Sequence, residues 1–228
     1  MATRLEDPSS LLHRIRKGEI PDRMARSADP TFQRVHRRML RLHLPTYATE
    51  ILRGPKQYDN KFLLGPHHLE WGRAISEDHR ILALAARDHG KSHFWCFAYP
   101  LWRADRASPG QSGYILSATK VLACEHLDKI RREIVGGGEG GGPNPRLSHL
   151  LPFAKDSTST LRFRNGSEIR ARGFDSKFRG GHPFWMVCDD ILSDEHIWSD
   201  TIREKAIDRF LSAIEPMVVP GGQLAVVG

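Results

Sequence analysis

Residues 81–92 constrain this chain more than any other stretch. Ile81-Leu82-Ala83-Leu84-Ala85-Ala86 is a short, nearly continuous apolar run, the pattern of a strand buried on both faces of a parallel sheet. It leads into Arg87-Asp88-His89-Gly90-Lys91-Ser92 and then an apolar helix from His93 to about Ala104, interrupted by Pro100. Ala85-x-x-x-x-Gly90-Lys91-Ser92 reads as a P-loop whose first glycine is replaced by alanine, after a strand and before a helix as its mechanism requires. Backbone N–H groups of Ala86, Arg87, Asp88, His89, Gly90, Lys91, Ser92 and His93 are the candidates to surround a phosphate. Lys91 would reach its outer oxygens, and the Ser92 hydroxyl would ligate Mg²⁺. A turn that merely caps a helix needs neither the lysine nor the strand, so ATP with Mg²⁺ is the expected ligand.

The rest of the chain alternates strand and helix. Gly113–Thr119 predicts a second strand ending in small hydroxyl residues, and about Lys120–Ile134 a helix, which completes a βαβ pattern. Phe184–Cys188 predicts another buried strand running into Asp189-Asp190. In a P-loop ATPase the first such acid holds Mg²⁺ through a water and the second positions the attacking water, so Asp189 and Asp190 are the expected metal and catalytic acids. Paired acids after a strand can also cap the following segment. His89 and His93 stand at i, i+4, but the residues between them belong to the phosphate loop, so they are not read as metal ligands.

Thr160–Arg164, Asn165-Gly166 and Ser167–Arg172 predict a hairpin. Thr201–Ile214 predicts an amphipathic helix and Gln223–Gly228 one more strand, while the glycine-rich stretch 136–145 reads as an internal loop. Residues 1–58 are expected to form a helical N-terminal extension and 59–228 an α/β P-loop core of the ASCE, RecA-like kind: a mainly parallel sheet flanked by helices.

Composition narrows the partners. Lys and Arg outnumber Asp and Glu by 34 to 27, a net charge of +7, which favours polyanions. No apolar run approaches the roughly 20 residues of a membrane span and the first residues form no secretory leader, so a cytoplasmic location is expected. Three widely spaced cysteines, Cys96, Cys124 and Cys188, fit neither a disulfide framework nor a zinc knuckle and read as small hydrophobes.

Taken in order, these motifs resemble the ATPase domain of tailed-bacteriophage large terminases, the DNA-packaging motors. Ala85-Ala86-Arg87-Asp88-His89-Gly90-Lys91-Ser92 is similar to the variant Walker A motif of that family, in which an arginine precedes the glycine of Gly-Lys-Ser by three residues; the resemblance implies a γ-phosphate role for Arg87. Arg179-Gly180-Gly181-His182-Pro183 leading into Phe184–Ile191 resembles the segment before Walker B, and implies that Arg179 is a trans arginine finger. Pro66-His67-His68-Leu69-Glu70 stands where the family carries an adenine contact, which makes His68 or His67 the candidate. Residues 220–228 look like the strand leading to the coupling motif. Against the family's pattern the remainder of the lid and a nuclease domain would lie outside this chain. The resemblance further implies double-stranded DNA, a portal protein, a small terminase subunit and a homo-oligomeric ring, such as a pentamer, as partners, with a monomer expected of the isolated fragment. A helicase-type ATPase carrying the same two motifs, and a nucleic-acid-binding or portal-binding module without turnover, are the other readings these residues admit.

Overall fold

The structure is a computed structural model that describes residues 40–54, 62–137, 141–176, 181–192 and 199–228. The chain divides into two compact units, Met1–Glu77 and Asp78–Gly228. The expected helical lead up to residue 39 and the expected boundary at residues 58 and 59 lie outside the described residues.

In the first unit, helix α1 (Leu44–Ile51) opens with Pro45 in its first turn, where the missing N–H costs nothing. His43 caps it: its Nδ1 accepts the Thr46 N–H at 3.4 Å and lies 2.8 Å from the Thr46 hydroxyl. The imidazole is buried, and burial pushes its pKa down to about 4. Helix α2 (Pro66–Glu77) buries Trp71 and Ile75.

The second unit is built on a seven-stranded sheet in the order β1-β7-β6-β2-β5-β4-β3. The strands are β1 (Arg80–Ala83), β2 (Ser112–Ser117), β3 (Lys155–Ser157), β4 (Thr160–Arg162), β5 (Glu168–Gly173), β6 (Trp185–Asp189) and β7 (Gln223–Val227). The β1, β7, β6, β2 and β5 strands run parallel; β4 and β3 extend the sheet antiparallel through the expected hairpin. The hairpin turns on Gly166 at φ 82°, with its N–H donated to Phe163 O.

The sheet is covered on both faces. One face presents Tyr114, Leu116, Met186, Cys188 and Leu224 to helix α5 (Asp200–Arg209) and the π-turn Phe210–Ile214 that extends it, closing a core with Phe174 and Ile214. The other presents Ile115 and Val187 toward two helices, α3 (residues 91–106) and α4 (Lys120–Val135). Helix α4 buries Ala123, Leu127, Ile130 and Ile134. Helix α3 is composite: a first turn Lys91–His93, a π-helical turn Phe94–Ala98 and a regular stretch Tyr99–Arg106. The wide turn comes just before Pro100, whose ring would strike the carbonyl four residues back in a regular α-helix. Tyr99 is thereby seated on the sheet, edge-on to Trp185 and donating its hydroxyl to Gln223 Oε1 at 2.7 Å.

One expectation is corrected. The run 81–86 does not supply a strand buried on both faces: among the described residues β1 is one of the two edge strands, and Leu82 and Leu84 are 68% and 69% exposed. Ile81 and Ala83 alone turn inward, so the strand alternates as a half-buried strand does.

Candidate functional site

Four parallel strands end on one row of the sheet: Ala83 is paired with Val227, Val227 with Asp189, and Asp189 with Ser117. The carboxyl ends of such strands, where β1 hands over to strands further along the sheet, are where open α/β sheets bind ligands. The loop after β1 enters here. Its first residues are fastened to the end of β7, since Ala85 N donates to Gly228 O and Gly228 N to Ala83 O, both at 3.1 Å. It then turns through left-handed residues at Asp88 (φ 64°) and Gly90 (φ 71°) before α3 begins. Glycine meets that geometry without strain and aspartate is one of the few other residues that tolerates it. Lys91 folds back over the loop, its Nζ donating to Ala85 O at 2.8 Å.

Asp189 is the centre of the arrangement. It is 3% exposed at the end of β6. Its Oδ2 accepts the Ser92 hydroxyl at 2.7 Å and lies 3.3 Å from His126 Nε2, and the Cys96 sulfur lies within 4.8 Å of the same carboxylate. Burial alone would raise the pKa of Asp189, but donation from His126, Ser92 and Cys96 outweighs it and holds the carboxyl below the usual carboxylate range. The Cys96 thiol is pushed the other way, well above its ordinary value, first by burial and then by the Asp189 charge. Asp189 Oδ1 and the Ser117 hydroxyl are both buried and accept or donate no hydrogen bond among the described residues. A buried bare carboxylate oxygen beside a serine hydroxyl suits a hard divalent cation, which takes oxygen ligands and keeps several of its waters.

Asp190 follows in the left-handed region at φ 44°, with its N–H donated to Val227 O and its side chain exposed. Arg87, Asp88 and His89 are exposed on the loop, and His89 Nδ1 lies 2.9 Å from Arg87 O. The His93 ring stacks on Phe97, so this residue offers the loop its backbone while its side chain faces the interior. His68 sits in the first unit, its Nδ1 accepting Gly65 N at 2.8 Å and its ring against His67 and Trp71. Arg179 lies outside the described residues.

Sequence reasoning missed His126 and Cys96. Neither belongs to a local motif: His126 lies in the second turn of α4 and Cys96 in the π-turn of α3. Only the crossover from β2 brings α4 across the end of β6. An open groove of about 960 Å³ along α4, lined by Lys120, Val121, Cys124, Asp128, Arg131 and Asp156 among others, shares no residue with this site.

No protein-family model matches the sequence, and no curated protein matches it either. Solved structures do. The large terminase of bacteriophage HK97 superposes at a TM-score of 0.60 with 13% identity, over 82% of this chain and 37% of that one. The ATPase domain of the Thermus phage P74-26 large terminase superposes at 0.50 with 17% identity, over 73% of this chain and 65% of that domain. At such identities the likeness is one of architecture, and this chain spans about a third of the first and two thirds of the second. The chain therefore has the P-loop NTPase fold of phage large terminase ATPase domains: a mostly parallel seven-stranded sheet flanked by helices.

Proposed function

We propose that this chain is the ATP-hydrolysing part of a phage DNA-packaging motor. One contact carries the reading: the 2.7 Å hydrogen bond from the Ser92 hydroxyl to Asp189, which joins the phosphate loop to a strand-end acid at the carboxyl edge of the sheet. In this reading Lys91 exchanges its bond to Ala85 O for the outer phosphate oxygens. The loop's N–H groups, from Ala86 to His93, cradle the phosphates. Ser92 and Asp189 hold Mg²⁺, which neutralises charge on the phosphate oxygens and fixes them for in-line attack. Asp190 orients the attacking water, Arg87 adds positive charge to the transition state in cis, and Arg179 does so from a ring neighbour. Double-stranded DNA, portal protein, small terminase subunit and further copies of the chain are the partners this reading requires, in the host cytoplasm.

The test is Mg²⁺-dependent phosphate release by this chain, with and without double-stranded DNA. Asp190→Asn should lower turnover by at least about 100-fold, the contribution of a positioned base, with nucleotide binding kept. Lys91→Ala should abolish both binding and turnover. Unchanged hydrolysis in either variant would sink the assignment.

A further inference from the structure

Asp189 belongs to a second ligand set as well as the one just described. Cys96 Sγ, a ring nitrogen of His126 and an Asp189 carboxylate oxygen all lie within 4.8 Å of one another, and His126 Nε2 is 3.3 Å from Asp189 Oδ2. Tetrahedral zinc, with bonds of about 2.0–2.3 Å, needs its ligands about 3.3–3.8 Å apart. The three side chains therefore need only small adjustments to close on one ion. They come from three different elements, α3, α4 and β6, and are largely withdrawn from solvent: Cys96 is fully buried and the His126 and Asp189 side chains are 14% and 4% exposed. The Ser92 hydroxyl, already against Oδ2, or a water can complete the fourth position.

The donor set is wrong for a hard ion, which has no use for sulfur, and right for a thiophilic one. We infer that Cys96, His126 and Asp189 form a binding site for a zinc-class divalent cation, and that this ion takes Asp189 away from the hard cation of the nucleotide site. Binding releases the Cys96 proton to solvent, and the proton on His126 Nε2 that faces Asp189 in the empty site passes through solvent to Nδ1, which frees Nε2 to ligate; nothing is oxidised or reduced. Occupancy of the site would draw the Asp189 carboxylate toward α4 and fill its free lone pairs, so zinc and magnesium compete for one side chain. The competition rests on the proposed role of Asp189; the binding does not.

Cobalt(II) is the probe, because a thiolate ligand gives it a charge-transfer band that oxygen ligands cannot produce. Titration of the chain with cobalt should yield that band at one equivalent, bleached by zinc and shifted to higher cobalt concentration by excess magnesium, as competition for one side chain requires. Cys96→Ser, which keeps the shape and removes the sulfur, should abolish the band, and Cys124→Ser should leave it intact. His126→Ala should weaken binding by at least about tenfold. Each variant's cooperative thermal transition is compared with the parent's, so that loss of the band is not loss of the fold. A band that survives Cys96→Ser, or none in the parent, overturns the site. If ATP turnover proves absent while the band behaves as described, the site stands and the motor reading falls. A band without zinc inhibition of Mg²⁺-dependent turnover overturns the competition.

Discussion

At the scale of single residues, the arrangement turns on how one carboxylate distributes its lone pairs. Asp189 Oδ2 faces Ser92 and His126, while Oδ1 has no hydrogen-bond partner among the described residues. In the proposed nucleotide site His126 would therefore position the acid without being a phosphate or metal ligand itself. Removing it frees the carboxylate to rotate and weakens its grip on a cation. His126→Ala should raise the Mg²⁺ concentration for half-maximal hydrolysis about tenfold, the usual scale for loss of a ligand's supporting partner. The maximal rate at saturating Mg²⁺ should change much less, and His126→Gln, which keeps a donor, should recover most of the loss. A Mg²⁺ titration at fixed ATP reads all three; a fall in the maximal rate with an unmoved midpoint would refute the role. The meeting of Ser92 with Asp189 was legible in the sequence because each lies in a short motif beside a strand end. His126 and Cys96 were not, because they reach Asp189 across 63 and 93 residues and carry no local signature.

At the scale of elements, most boundaries were readable from period and punctuation. β2, α4, the hairpin, β6, α5 and β7 fall within a few residues of expectation, since apolar alternation and Asn-Gly or Gly-Gly turns mark them. The burial of β1 was not. A continuous apolar run looks the same at the centre and at the edge of a sheet, and only the strand order decides. The π-turn in α3 was likewise invisible, although Pro100 marked the right neighbourhood. Register inside the sheet is enforced by close packing at one point. Gly113 is paired with Trp185, and a Cβ at position 113 would lie 1.8 Å from the indole. Trp185 is itself 3% exposed and has little room to retreat. Gly113→Ala should therefore destabilise the chain by about 1–3 kcal/mol, and less when Trp185→Leu is already in place. Chemical denaturation of the two single variants and the double variant measures the coupling; strictly additive losses would refute the clash.

At the scale of the whole molecule, each unit holds an imidazole that burial keeps neutral. His43 in the first and His93 in the second are both pushed down to about 4, with Lys129 adding to the effect of burial at His93. The unfolded chain takes up those protons near pH 6.5, the folded chain only near pH 4. Their stabilisation is complete above about pH 6.5 and is lost as pH falls toward 4. For His43, the more buried of the two, the loss is at most about 3 kcal/mol. His43→Asn keeps a capping side chain and removes the titration, so its denaturation midpoint should fall less steeply than the parent's between pH 7 and pH 4.5; parallel curves would exclude the effect. The order of strands carries a consequence of another kind, in time. The loop that leads to Ser92 follows β1 and its acid partner Asp189 ends β6, 97 residues apart at the Ser92–Asp189 contact. What lies between β1 and β6 in the sheet is β7, which comes after both in the chain. As the polypeptide emerges from a ribosome, β1 and β6 are made without the strand that separates and aligns them. Ser92 and Asp189 come into register only once residues 223–227 lie between their strands, so the contact that joins the loop to the acid depends on the part of the sheet made last.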